Sequence, residues 1–493
     1  MALASEVMSS YGRLKLYIDG SFKESETSQF IKVFNPAKDE VIAEVPNTLD
    51  EEVDMAVDAA YNAFLKWRET PIPTRVQYLF RIKNVLEEHK EEIARIIVQN
   101  HGKTLDEARG EMRRAIENVE TAIGVAYLLE KGEYLENIAR GIDEYLVREP
   151  LGVAAIISPF NFPVMVPFWF IPYALAVGDT VVVKPSEITP VPFYWTIKLI
   201  HEEAKLPPGV INVVYGLGNV GEKLISHRDV FGVAFVGSTP VARAIYKRVG
   251  ELGKKAILQA GAKNYAVVMP DADIDRTIPN LISSFYGNTG QRCLANSVLV
   301  PVGDAYEKVV PRFIEEASRL RLGYGLDEDV DMGPMTTRKG LERVLRYIEI
   351  GIEEGAKLSL DGRGRKSEKY PRGYFIGANV FEEVTPDMKI AREEIFGPVA
   401  SVIKADSLEE AIEMINSGSY GNAASLFTST GSYARKFRRY VDVGNIGVNI
   451  GVAAPMAFFP FGGRRESFFG VVHGQVDSLD FFTDKKIVIE RWW

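Results

Sequence analysis

Four short apolar runs constrain this 493-residue chain more than any other feature. They occupy residues 153–159 (VAAIISP), 180–186 (TVVVKPS), 210–216 (VINVVYG) and 233–239 (VAFVGST), and each closes on turn residues. Their apolar residues run on without alternating, the pattern of a strand buried on both faces. Successive runs start 27, 30 and 23 residues apart, which leaves room for a crossover helix between neighbours. That combination predicts an α/β fold built on a doubly wound parallel sheet. Ligands of such sheets sit beyond the carboxyl ends of the strands, where this chain carries Asn161, Lys184, Glu187 and Ser238.

Around this block the pattern changes. LKLYIDGSF reads as an N-terminal strand or hairpin, and residues 49–126 show apolar positions at helical spacing among many charges. A second block of strand and helix signals follows from about residue 257. The closing SLDFFTDKKIVIERWW reads as an exposed terminal strand that invites pairing with a neighbouring subunit.

Composition excludes several functions. With 58 basic and 67 acidic residues the formal charge is -9, which disfavours nucleic acid or an anionic membrane as the main partner. No apolar run approaches the ~20 residues of a membrane span. No secretory core opens the chain, so a cytoplasmic setting is expected. A single cysteine permits neither an intramolecular disulfide nor a thiolate metal centre, and no metal is expected.

That cysteine, Cys293, lies in GNTGQRCLANS, a glycine-punctuated turn leading into a strand-like run. Most lone cysteines are small buried hydrophobes. Here Gly287 and Gly290 suit a tight backbone approach, and Arg292 sets a cation beside the sulfur, which is expected to favour the nucleophilic thiolate.

GQRC resembles the nucleophile turn of the aldehyde dehydrogenase superfamily. PFNFP, VVVKPSE, FVGST, EEIFGP and PFGG resemble that family's other landmarks, in its order and at its spacing. The resemblance implies two doubly wound parallel-sheet domains and a small β extension used in oligomerisation. An NAD-binding domain would comprise residues 1–126 and 149–256, a catalytic domain 257–470, and the extension 127–148 and 471–493. It further implies a homo-oligomer, tetramer or dimer, acting on a small aldehyde.

The implied chemistry is attack by Cys293 on the aldehyde carbonyl. The Asn161 amide and the Cys293 backbone N–H would hold the oxyanion, and a thioacyl-enzyme would follow. By resemblance Lys184 and Glu187 reach the adenosine ribose, where a carboxylate accepts from a free 2′-hydroxyl and repels a 2′-phosphate, so NAD is favoured over NADP. Gly237 and Ser238 would open a helix facing the pyrophosphate. Ser158 and Phe160 would line the cofactor site, with Glu394 and Phe396 at the nicotinamide end and Phe162 on the substrate side.

One position departs from the superfamily pattern. Gln259 stands where most members carry the glutamate that activates the deacylating water, and no acidic residue lies between Gly253 and Pro270. A glutamine can bond a water but cannot take its proton. Water has a pKa near 15.7 and a free thiol near 8.5, a gap worth roughly 10 kcal/mol in forming the anion. A thiol such as coenzyme A therefore needs no carboxylate base.

GAKNYAVVMPDAD, GQRCLANS and DVGNIGVNI resemble the coenzyme A-acylating methylmalonate- and malonate-semialdehyde dehydrogenases. That branch is implied to grip a substrate carboxylate with two arginines, matched here by Arg292 and Arg114. Arg109 and Arg113 lie on the same helical stretch and offer the same charge. The alternative is an ordinary hydrolytic, NAD(P)-dependent aldehyde dehydrogenase that releases a carboxylic acid.

Overall fold

The computed structural model describes residues 4–129 and 131–493. The first three residues of the expected N-terminal unit and Glu130 of the expected extension lie outside them.

The four apolar runs become strands β1 (Val153–Ile157), β2 (Thr180–Lys184), β3 (Ile211–Val213) and β4 (Val230–Val236), joined by β5 (Lys255–Gln259). They form one parallel sheet in the order β5-β4-β1-β2-β3. The N-terminal hairpin (Leu16–Ile18 and Ser21–Lys23) extends it antiparallel at one edge, and Phe468–Gly470 at the other. The order reverses at β1, which lies between β2 and β4. A crevice therefore opens beyond the carboxyl ends of β1 and β4.

The helical stretch resolves into four helices, Asp50–Trp67, Ile72–Glu88, Lys90–His101 and Leu105–Leu129. On the last, Ala108, Met112, Ala115, Val119 and Ala122 form a buried stripe at three- and four-residue spacing. Burial of that stripe sets the helix against the core and carries its opposite face into solvent.

A second sheet holds β6 (Asn264–Val268), β7 (Asn296–Pro301), β8 (Asn379–Glu382), β9 (Val399–Val402), β10 (Ala423–Phe427) and β11 (Asn445–Val448). All six are parallel, in the order β8-β9-β7-β6-β10-β11, with Lys357–Leu360 antiparallel beside β8. A boundary between residues 256 and 257 needs correction. It would cut β5, whose residues pair with β4 from Gly232↔Lys255 to Val236↔Gln259. The chain leaves the first sheet only after Gln259, and residues 468–470 return to it.

The segment RRESFFG (residues 464–470) stitches the two sheets together. The Arg465 guanidinium donates to the Asn416 carbonyl at 2.9 Å and to the Asp442 carbonyl at 2.8 Å, on the side of the second sheet. Two residues on, the Ser467 carbonyl accepts from Ala260 N–H at 2.9 Å, immediately after β5.

The terminal strand Thr483–Arg491 pairs antiparallel with Ile142–Pro150, which pairs with Glu133–Ala139. Ile487 and Ile489 of this three-stranded sheet, and the two tryptophans that follow it, are exposed. No described helix is long and apolar enough to cross a membrane.

Candidate active site

Cys293 is held by a strained turn. Residues 287–290 form a short 3-10 segment in which Asn288 and Thr289 take φ of 54° and 55°. A β-branched residue in that left-handed region is costly, which marks a geometry imposed by the surroundings. The glycines on either side fit for steric reasons. A Cβ on Gly290 would lie 2.3 Å from the Gly397 carbonyl oxygen, and one on Gly287 would lie 2.6 Å from the Arg292 guanidinium.

Two cavities meet at Cys293. The larger, about 740 Å³, occupies the crevice beyond β1 and β4, and the smaller, about 500 Å³, lies between the Leu105–Leu129 helix and residues 450–461. Among the described residues, Cys293 is the one that lines both.

Every residue expected to hold the cofactor lines the larger cavity: Ser158, Phe160, Lys184, Glu187, Gly237, Ser238, Glu394 and Phe396. Lys184, the last residue of β2, is buried and sits 3.6 Å from Glu187. Burial depresses its amine below the ordinary lysine value, and Glu187 opposes that shift. Ser238 precedes the Thr239–Glu251 helix in extended geometry and makes no side-chain cap, so the first N–H groups of that helix remain available. Ser158 Oγ is buried without a hydrogen-bond partner among the described residues.

An open helix N-terminus and an orphaned hydroxyl in one long crevice fit a dinucleotide. Glu394 is half-buried, and its Oε1 accepts from Ala262 N–H at 2.9 Å. Burial raises its carboxyl above the usual range. Phe396 sits at φ 61° with its ring edge-on to Phe160, centroids 5.9 Å apart.

Arg114, Arg292 and Phe162 line the smaller cavity. Arg109 and Arg113 do not: Arg109 pairs with Glu91 and Asp106, and Arg113 with Glu87 and Glu120. Arg114 Nη1 lies 2.9 Å from Glu117, and Arg292 Nη2 lies 2.9 Å from Glu107. Each guanidinium spends one arm on a glutamate and is oriented by it.

Arg292 favours the thiolate as expected, but burial and Glu394 outweigh it. The Cys293 thiol is pushed up to about 12, first by burial and then by the negative Glu394. Arg292 opposes this only weakly, since its guanidinium turns away to Glu107. Stronger help comes from the Cys293 and Leu294 backbone N–H groups, which favour the anion at the sulfur.

Asn161, buried at the end of the β1 loop, lines the larger cavity, and its amide donates to the Gln291 carbonyl at 2.9 Å. Its backbone carbonyl accepts from Lys103 Nζ at 2.8 Å. Lys103 pairs with Glu111 at 2.7 Å, both side chains wholly buried, and Glu111 also accepts from Val164 and Met165 N–H. This buried brace fixes the loop that carries Asn161. Sequence reasoning missed it, although Glu111 falls on the buried stripe between Ala108 and Met112, where a carboxylate needs a partner.

Gln259 lines neither cavity. Its Nε2 donates to the Phe461 carbonyl at 3.2 Å, and its Oε1 is buried without a partner among the described residues.

The profile of the aldehyde dehydrogenase family matches residues 22–488. Malonate-semialdehyde dehydrogenase 1 of Geobacillus kaustophilus is 45% identical over 480 residues, covering 97% of this chain and 98% of its own. The solved methylmalonate-semialdehyde dehydrogenase of Oceanimonas doudoroffii is 40% identical, covers 99% of each chain, and superposes with a TM-score of 0.95. An NAD+ complex of an aldehyde dehydrogenase from Bacillus cereus is 33% identical with a TM-score of 0.93, covering 98% of this chain and 97% of that one.

Proposed function

The chain belongs to the aldehyde dehydrogenase family, and from that premise we propose that it is an NAD-dependent dehydrogenase of a malonate- or methylmalonate-type semialdehyde, passing its acyl product to coenzyme A. The observation that carries this reading is that Cys293 lines both the cavity where the expected dinucleotide-binding residues gather and a cavity lined by two arginines.

In this reading the Cys293 thiolate attacks the aldehyde carbon, and the carbonyl π electrons pass to oxygen. The oxyanion accepts from the Asn161 amide and the Cys293 backbone N–H, donors fixed in advance by the Lys103 brace and the strained turn. Bound NAD supplies the hydride acceptor. The larger cavity orients it through Lys184 and Glu187 at one end and Glu394 and Phe396 at the other, and Glu187 favours a free 2′-hydroxyl.

Arg114 and Arg292 offer their remaining N–H groups to a substrate carboxylate, whose two oxygens accept bidentately from a forked guanidinium. Release of the thioacyl group needs a second nucleophile. Gln259 provides no base, so a thiol is favoured over water. Attack by the coenzyme A thiolate forms a new thioester and returns the electron pair to Cys293 Sγ. A β-carboxylate on the acyl group leaves as carbon dioxide, and the resulting carbanion takes a proton.

The proposal includes residues 1–126 and 149–256, with β5 and residues 468–470 added, as the dinucleotide-binding unit. It also includes a homo-oligomer, tetramer or dimer, assembled through the three-stranded sheet, whose exposed Ile487, Ile489 and Trp492 favour burial against a second copy. A free catalytic thiol suits the reducing cytoplasm.

The test is an aldehyde panel run with and without coenzyme A, with products identified by mass. Carboxylated semialdehydes should be preferred and should yield acyl-coenzyme A one carbon shorter than the substrate. Rapid formation of free acid with no response to coenzyme A would replace this reading with the hydrolytic one.

A further inference from the structure

Two side chains that the chemistry above does not use converge on the nucleophile's own peptide. Asn264 Nδ2 donates to the Cys293 carbonyl at 2.8 Å, and Asn422 Nδ2 donates to the same oxygen at 2.7 Å. Both asparagines are almost wholly buried. They stand at neighbouring positions of the second sheet, Asn264 opening β6 and Asn422 just before β10, and those strands pair in parallel. Asn264 is itself fixed, because its Oδ1 accepts from Ala423 N–H at 3.0 Å and its Nδ2 also donates to the Ala295 carbonyl at 2.9 Å.

A carbonyl that takes two short bonds from rigid donors cannot rotate. Since the peptide is planar and trans, fixing C=O also fixes the N–H on the opposite side. That N–H belongs to Leu294.

We propose that Asn264 and Asn422 are positioning residues for the nucleophile, holding the Cys293–Leu294 peptide so that the Leu294 N–H faces Sγ and stabilises the thiolate. Polarisation of the carbonyl by two donors also strengthens the N–H as a donor, as in any chain of hydrogen bonds. The direction matters at this site. Burial and Glu394 disfavour the anion, and the Cys293 and Leu294 N–H groups are among the few influences favouring it. A purely structural asparagine pair would tie β6 to β10 without any bearing on the sulfur.

The inference rests on Cys293 as nucleophile but not on any particular aldehyde, and its test reads the thiol directly. The chain has one cysteine, so alkylation reports a single atom. In the full-length protein, Asn422→Ala and the volume-matched Asn422→Leu should displace the pH–rate profile of alkylation by about one unit to higher pH. Between pH 7 and 10 that is about a tenfold slowing. The displacement should be equal for iodoacetamide and the bulkier N-ethylmaleimide, since a change of access would act unequally on them. NAD affinity and the Michaelis constant for the aldehyde should change little while kcat falls.

A second measurement needs no variant. Protein labelled with [1-13C]cysteine carries one labelled carbonyl, whose infrared band should lie at the low frequency of a doubly bonded acceptor. An undisplaced alkylation profile, a displacement that differs between the two reagents, or a band at the frequency of a weakly bonded carbonyl would overturn the proposal. An enzyme inactive on every aldehyde that nonetheless shows the displaced profile would leave this inference standing and remove the semialdehyde reading.

Discussion

Replacing Lys103 with methionine should test whether the buried brace positions the oxyanion donor. Lys103 and Glu111 are both wholly buried and 2.7 Å apart. Removing the ammonium leaves a carboxylate with two backbone N–H donors and no counter-charge. Breaking a buried pair from one side typically costs about 3–5 kcal/mol, and Lys103→Met should fall in that range in guanidinium unfolding followed by tryptophan fluorescence. The double variant Lys103→Met, Glu111→Gln removes both charges and keeps an amide oxygen for Val164 and Met165 N–H, so it should regain most of the loss. Lys103 also holds the Asn161 carbonyl at 2.8 Å. Losing one oxyanion donor outright costs about 10²–10³ in kcat, which bounds the catalytic penalty of loosening it. A double variant no more stable than Lys103→Met, or a destabilised Lys103→Met with unchanged kcat, would refute the reasoning.

Arg114→Ala should slow turnover of a carboxylated semialdehyde roughly 10- to 150-fold, the worth of a charge-assisted hydrogen bond, while sparing an uncharged aldehyde such as propanal; equal losses on both would make Arg114 structural. Gln259→Glu should raise hydrolysis without coenzyme A by less than the about 10²–10⁴-fold of a well-placed base, because one carboxylate oxygen would face the Phe461 carbonyl; single-turnover kinetics measure the gain. Asp179, buried with one oxygen accepting from Gly152 N–H and the other unpartnered among the described residues, has its carboxyl raised well above the usual range by burial. Its contribution to stability is therefore full below the unfolded value near 4 and is lost as pH rises through the higher folded value. Asp179→Asn should gain on the wild type by up to about 1.4 kcal/mol per pH unit as pH rises from the unfolded value to the folded one, and keep that gain above it; melting curves with the same pH dependence for both proteins would contradict it.

The parallel sheet was legible because β1, β2 and β4 are apolar along their length, and only strands covered on both faces read that way. The nucleophile turn was legible because its glycines are spaced for close approach. What escaped is carried by long-range partners. Nothing within a few residues of Asn422 or Lys103 announces the Cys293 carbonyl or Glu111. Arg292 shows the same limit: it favours the thiolate, but its guanidinium pairs with a glutamate 185 residues away and its effect is outweighed by burial and Glu394. Gln259 was legible as a departure from the superfamily pattern, yet its hydrogen bond to the Phe461 carbonyl, 202 residues away, was not.

Among the described residues the two cavities have no lining residue in common except Cys293, and this makes the enzyme modular. Substitutions that retune the dinucleotide, at Glu187 or Lys184, and substitutions that retune the aldehyde, at Arg114 or Phe162, act on separate walls with no shared partner. Free energies of such distant changes add to within a few tenths of a kcal/mol. A lineage or an engineer can therefore exchange the oxidant without renegotiating the substrate. The sulfur alone, answerable to both walls, has no such freedom.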